Sequence, residues 1–297
     1  MNVCVIILAE REVGQMAYEK ISGFSDEIDS CVVTQFEALN RLNIKYFEPR
    51  GIDGTNISKI TDEQLAELKA NMDKYGIKVS SIGSPIGKVN IEDDFEEHFE
   101  LYKRVVYIAK TLESKYIRMF SFYTKEGDWN DEKRAEVFRR LKIMIEYAKE
   151  NDIVLLHENE KDIYGDIVDR CADLMDNLYC DNFKAVFDPA NFVQSAQDTK
   201  YAYEKLGKYI EYMHIKDSRP DGRVVPSGMG EGNVEYVLKN LFDNGYNGFV
   251  SLEPHLGSFE GLAELELDDE MEKLPKGGEG TFTVAYNALN AILNKIL

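Results

Sequence analysis

A chain of 297 residues has room for one large α/β domain or two average ones, and 44% hydrophobic with 30% charged residues is ordinary for a folded protein. The 54 acidic residues outnumber the 35 basic ones. The resulting formal net charge of −19 repels phosphate backbones and argues against nucleic acid as a partner.

Residues 1–17 read as an N-terminal extension of unclear role, and residues 18–297 as one domain. The run Val3 to Ala9 is too short to span a bilayer and lacks the basic flank of a signal peptide, so no membrane association is expected. Cys4, Cys31, Cys171 and Cys180 fit neither a zinc knuckle nor a CxxC redox pair, as expected of a reduced, cytoplasmic chain.

From Glu19 onward short β-like runs alternate with helical periods, the pattern of a parallel sheet with crossover helices. Lys20 to Gly23 is the first strand, and Ser30 is placed to cap a helix with Val32, Phe36 and Leu39 on one face. Ile44 to Phe47 is the second, followed by a helix capped by Thr61 with Leu65, Leu68, Met72 and Tyr75 on its apolar side. Lys78 to Ile82 and Tyr116 to Phe120 are strands three and four. Their helices bury Phe95, Phe99, Tyr102, Val106 and Ala109, and then Phe138, Leu141, Ile145 and Ala148. Strand five begins at Ile153, strand six covers Phe183 to Phe187, strand seven Ile210 to Met213 and strand eight Phe249 to Leu252. Helices are expected near Asp166 to Met175, Ala202 to Leu206, Val234 to Phe242 and around Phe282 to Ile292. Six Gly and Pro residues between Lys216 and Gly232 predict an irregular loop there. Eight strand–helix units predict a (β/α)8 TIM barrel in a single domain.

Strands five to eight share a further feature: each buried run ends in a polar side chain, Glu158, Asp188, His214 and Glu253 in turn. Parallel α/β sheets carry their active sites at the carboxyl ends of the strands, so these four converge on one rim. Three carboxylates and an imidazole form a hard, oxygen-rich ligand set that favours Mn²⁺, with Mg²⁺, Co²⁺ or Zn²⁺ accommodated by the same residues. A cation held there would stabilise charge as a proton leaves the carbon beside a carbonyl. Glu158 and Glu253 are then placed to serve as base and acid. Strand alternation turns His157 toward the helices and leaves Glu160 in the following loop.

The segments His157-Glu158-Asn159-Glu160, Phe187-Asp188-Pro189-Ala190-Asn191-Phe192, His214-Ile215-Lys216-Asp217 and Ser251-Leu252-Glu253-Pro254-His255 resemble the sugar phosphate isomerase/epimerase group of the xylose isomerase-like TIM barrels. Gly23-Phe24-Ser25-Asp26-Glu27 and Ser81-Ile82-Gly83-Ser84-Pro85 are similar to the same group, which extends the resemblance over nearly everything after residue 17. The resemblance implies that Glu158, Asp188, His214 and Glu253 are metal ligands and that the substrate is a small sugar or sugar phosphate. The activities it implies are isomerisation or epimerisation through a cis-enediolate, or dehydration of a keto-inositol. Asn191 stands where several ketose epimerases of the superfamily have a histidine, an exchange that keeps a substrate hydrogen bond and removes a proton-transfer role.

Around that centre, Asn191, Lys216, His255, Glu48 and Arg50 are candidate substrate-binding residues. The plain alternative for Lys216 is a pair with Asp217 or another carboxylate, and for Glu48 and Arg50 a pair with each other. Arg219, Arg223 and the Gly228 to Gly232 run are a candidate phosphate cradle. Four histidines are too few for the multi-zinc cluster of the related endonucleases. A sugar-binding barrel without catalysis is the remaining alternative, and either kind of barrel is compatible with a homo-oligomer.

Overall fold

The computed structural model describes residues 18–125, 128–257 and 276–297, so the expected N-terminal extension lies outside the described residues. Eight barrel strands alternate with eight principal helices: β1 Ile21–Gly23, α1 Val32–Arg41, β2 Tyr46–Phe47, α2 Asp62–Tyr75, β3 in two pieces (Lys78–Val79 and Ile82–Gly83), α3 Phe95–Thr111, β4 Tyr116–Met119, α4 Asp131–Glu150, β5 Val154–Glu158, α5 Val168–Leu178, β6 Phe183–Phe187, α6 Thr199–Leu206, β7 Ile210–Ile215, α7 Val234–Asp243, β8 Phe249–Leu252 and α8 Glu279–Ile296.

One continuous parallel sheet runs in the order β1, β8, β7, β6, β5, β4 and the second piece of β3. The ring closes through β2, which pairs in parallel with the first piece of β3. Glu48 N donates to Gly23 O at 2.9 Å, Ser80 N to Phe47 O at 2.9 Å and Gly83 N to Pro49 O at 2.9 Å. The third strand is therefore broken where the sequence predicts continuity, and the break has a polar cause. Ser80 turns inward and its hydroxyl bonds Phe47 O and the Tyr212 hydroxyl, at 3.1 and 2.8 Å, instead of presenting an apolar side chain.

Alternation along the strands sorts the core into two. Val154, Leu156, Val186 and Tyr212, with Tyr116 and Phe249 against them, fill the barrel interior. Leu155, Phe183, Ala185, Phe187 and Met213 face outward into the larger layer beneath the helices. Glu158 shares the inward parity of Val154 and Leu156, whereas His157 points outward. There it is buried against Phe183 and close to Gly165, as its parity predicts.

The helices follow from amphipathic periods and, in places, from caps. Thr61 and Gln64 form the expected reciprocal capping box on α2. The cap expected at Ser30 falls instead at Cys31, whose side chain does not bond the helix, and Asp53 Oδ1 takes the Val32 N–H at 3.0 Å. The loop after β7 is less irregular than its composition predicts, because Asp217–Ser218 and Val224–Val225 form a small antiparallel hairpin.

Candidate active site

The carboxyl ends of β5 to β8 bring Glu158, Asp188, His214 and Glu253 together, with one donor atom from each lying within 4.8 Å of all the others. All four are buried, the most accessible being Glu253 at 5%. Asp188 is both a helix cap and a member of the cluster. Its Oδ1 accepts the Asn191 N–H at 2.9 Å, starting the short helix Pro189–Gln194, while Oδ2 accepts no hydrogen bond. A buried carboxylate oxygen that takes no hydrogen bond and has the Lys216 ammonium as its ion-pair partner at 3.1 Å, in a set of three carboxylates and one imidazole, fits a divalent cation.

His214 is oriented at both ring nitrogens. Nδ1 lies 2.7 Å from Glu158 Oε1 and 3.7 Å from Glu253 Oε2, so it faces the cluster. Nε2 lies 3.3 Å from Glu48 Oε2, and that oxygen also accepts the Tyr212 hydroxyl at 2.9 Å and the Ser251 hydroxyl at 2.8 Å. A carboxylate behind the imidazole fixes ring orientation and tautomer in metal sites. Burial alone would depress the His214 pKa, but Glu158 and Glu48 together hold it well above the usual histidine value.

Lys216 is drawn inward rather than toward Asp217. Its ammonium lies 3.1 Å from Asp188 Oδ2 and 3.1 Å from Glu253 Oε2, and the side chain is 3% exposed. Burial opposes this charge, yet Asp188, Glu253, Glu160 and Glu158 hold the Lys216 pKa well above its ordinary value. Burial, reinforced by Glu253 and Glu158, raises the Asp188 carboxyl above the usual range even though Lys216 opposes the shift. Burial pushes Glu253 in the same direction, but there Lys216, His255 and His214 prevail and hold it ionised.

Glu48 and Arg50 do not pair with each other. Glu48 sits beneath His214, whereas Arg50 donates to Asp26 at 2.9 and 3.1 Å, to Glu27 at 3.3 Å and to Glu253 Oε1 at 3.1 Å. His255 adopts a left-handed backbone conformation, φ 43°, that brings its Nε2 to 3.4 Å from Glu253 Oε1 and 3.5 Å from Glu27 Oε1. Burial disfavours its charge, but Glu27 and Glu253 raise its pKa to about 9. Asn191 Nδ2 donates to Asn159 O at 2.9 Å, while the Asn159 side chain bonds both the N–H and the C=O of Asp188 at 2.9 Å. The amide nitrogen of Asn191 thus ties the β5 and β6 loops together.

The glycine-rich run is not a phosphate cradle. Its Gly228, Gly230 and Gly232 amides donate to the buried Asp217 carboxylate at 2.8, 3.0 and 2.8 Å, so the donors a phosphate would need are already occupied. Gly230 is required here, because a Cβ would lie 2.3 Å from Asp217 Oδ1. Residues without a role assigned from sequence complete the site: Arg118 beside Glu158, Asp26 and Glu27 around Arg50, and Tyr212 and Ser251 on Glu48. The available signal was parity, since Arg118 lies opposite inward-facing Leu156 in an otherwise apolar strand.

A profile of the xylose isomerase-like TIM barrel family matches residues 36–276. The 3-dehydroshikimate dehydratase of Bacillus anthracis is 20% identical over 129 residues, which are 43% of this chain and 46% of the relative, so less than half of that curated protein is spanned. Among solved structures, the IolI protein with a bound zinc atom superposes with a TM-score of 0.74 at 18% identity, covering 94% of this chain and 99% of the other. A D-tagatose 3-epimerase-like protein superposes with a TM-score of 0.70 at 17% identity, covering 94% and 100%. Such identities establish the shared barrel alone. With the family profile spanning most of the chain and an eight-stranded ring formed by its strands, the protein belongs to the xylose isomerase-like TIM barrel family.

Proposed function

We propose that the protein is a divalent-metal-dependent enzyme that removes a proton beside the carbonyl of a small polyhydroxylated substrate and returns it on the other face or the adjacent carbon, as a sugar isomerase or epimerase does. The observation that carries this reading is the pair Glu158 and Glu253, delivered from β5 and β8 to one buried cluster with Asp188 and His214. Those four residues would hold the cation, Mn²⁺ by the hardness of the set with Mg²⁺, Zn²⁺ or Co²⁺ accommodated, and it would supply Lewis acidity for the developing oxyanion.

The chain's own groups divide the remaining work. Each glutamate turns one oxygen toward the cluster and the other away: Glu158 Oε2 toward Arg118 Nε at 3.4 Å, and Glu253 Oε1 toward Arg50 at 3.1 Å. The outward oxygens are the ones that would exchange a substrate proton, and the Arg50 hydrogen bond fixes the direction of Glu253 Oε1. Glu48 holds His214, and the Asn159–Asn191 bonds hold Asp188, so the cluster keeps its shape without help from substrate. Lys216 and His255 are placed to meet substrate oxygens.

The test is solvent-proton exchange. Metal-loaded protein incubated in D₂O with candidate ketoses and keto-inositols should place deuterium on the carbon next to the carbonyl. Chelation should stop the exchange, and Glu158→Gln or Glu253→Gln should slow it by about 10²–10⁴-fold. Absence of exchange with every candidate, or exchange indifferent to chelator, would remove this reading in favour of a sugar-binding barrel. A second reading, loss of a β-hydroxyl after the same proton abstraction, is favoured by the dehydratase activity named for the curated relative. Net release of water from the substrate would select it.

A further inference from the structure

We infer that Arg118 forms an anion-recognition subsite and that the substrate carries a carboxylate; this deepens the proposed function and rests on the same pocket. Arg118 projects from the carboxyl end of β4 with the inward parity of Leu156, which places it beside Glu158 at the mouth of the barrel. Its guanidinium carbon lies 4.5 Å from the centroid of the Phe120 ring and 5.4 Å from that of Phe24. Aromatic contact of this kind holds the guanidinium through cation–π attraction and leaves its N–H groups to seek acceptors.

Those groups are underused. Arg118 is 4% exposed, and its Nε has no hydrogen-bond partner. Its polar neighbour among the described residues, Glu158 Oε2 at 3.4 Å, is an ion pair without hydrogen-bond geometry. Arg50, equally buried in the same rim, shows what a structural guanidinium looks like here, with Asp26 taking two of its nitrogens and Glu27 and Glu253 accepting as well. A buried guanidinium with an open fork needs an acceptor, and one that is planar and bidentate matches it best.

Carboxylate is preferred to phosphate on two grounds. The loop amides that would cradle a phosphate are spent on Asp217. Glu158 also lies against Arg118, and a dianion meets more repulsion from it than a monoanion does.

The experiment compares matched probes on the full chain. Gluconate, sorbitol and sorbitol 6-phosphate share a six-carbon skeleton. They would be joined by five- and seven-carbon aldonates and their alditols, all read by thermal shift and calorimetry on wild type, Arg118→Gln and Arg118→Lys. Wild type is expected to bind at least one carboxylate on the order of tenfold more tightly than its neutral partner, the worth of one charge-assisted hydrogen bond. Arg118→Gln should erase that preference, and Arg118→Lys should restore only part of it. The inference is overturned if no carboxylate outperforms its alditol, if the phosphate does better than the carboxylate, or if Arg118→Gln keeps the wild-type ratio. Bound-metal stoichiometry and the melting temperature of each variant are measured in parallel. Loss of metal from wild type would count against the proposed function, whereas an unchanged ratio with metal retained counts against Arg118 alone.

Discussion

Lys216→Met asks whether the lysine serves as a tethered counter-cation for the cluster. In the structure its ammonium bridges Asp188 Oδ2 and Glu253 Oε2 at 3.1 Å each, and all three side chains are buried. Removing one partner of a buried ion pair costs about 3–5 kcal/mol, because the charges left behind cannot regain water. For a chain of this size that corresponds to a fall in melting temperature on the order of 5–10 °C, measured in chelator. Proton uptake by Asp188, already raised above the usual range by burial, limits the loss, which places the expectation at the lower end. A divalent cation in the same cluster should return the lost stability. It should also bind the variant at least tenfold more tightly than wild type, since in wild type it competes with Lys216 for the same oxygens. The assays are melting in chelator against melting in excess Mn²⁺, and calorimetric titration with the metal. A variant as stable as wild type in chelator, or one with unchanged metal affinity, would show that Lys216 does not occupy the cation position.

Glu48→Gln removes the charge behind His214 while keeping shape, and should weaken metal affinity by roughly 10–100-fold with little change in fold, as read by titration and circular dichroism. His98 tests acid sensitivity: its Nε2 accepts the Gly87 N–H at 2.9 Å, and burial lowers its pKa to about 4. A depressed histidine stays neutral in the folded state while the unfolded chain takes up a proton, so stability is lost as pH falls from about 6.5 to 4. The loss is on the order of 3 kcal/mol, and pH-dependent melts of His98→Gln should show a shallower decline than wild type. Gly87→Ala should cost several kcal/mol or abolish folding, because at φ 89° its Cβ would lie 2.1 Å from Phe120 O; soluble yield and melting temperature are the readouts.

The parts of this fold that depend on local patterns were legible, and those that depend on which elements become neighbours were not. Phe183–Phe187 and Phe249–Leu252 have the bounds expected of them, because a buried run flanked by polar residues carries its own limits. The Glu158, Asp188, His214 and Glu253 set followed from strand ends alone. Glu48 was assigned to the rim, and only ring closure beside β1 reveals that it lies beneath His214. Lys216 had three carboxylates within plausible reach in sequence, and the choice of Asp188 and Glu253 was made by the amides of Gly228, Gly230 and Gly232 claiming Asp217. Arg118 went unremarked because a single arginine in an apolar strand carries no motif.

The charge arrangement explains why so many ionised groups are tolerated at the barrel mouth. Asp26, Glu27, Glu48, Glu158, Asp188 and Glu253 are all buried, and so are Arg50, Arg118 and Lys216. His214 and His255 have pKa values raised by their carboxylate neighbours despite burial, so both carry charge at neutral pH in the metal-free chain. If every carboxylate were ionised, acid would exceed base by one, and burial, which raises Glu27 and Asp188 to about 7, narrows even that difference, with each cation engaged with a carboxylate of the cluster or its rim. A divalent ion held by this set would require His214 to be neutral, so loading would exchange a proton for the metal's charge. Lys216 would at the same time lose the two oxygens that hold it, and Arg118 would share Glu158 with the ion. The cations that neutralise the cluster in the metal-free chain are therefore the ones that loading would turn toward a substrate. This connects the tethered lysine and the open guanidinium to one electrostatic design.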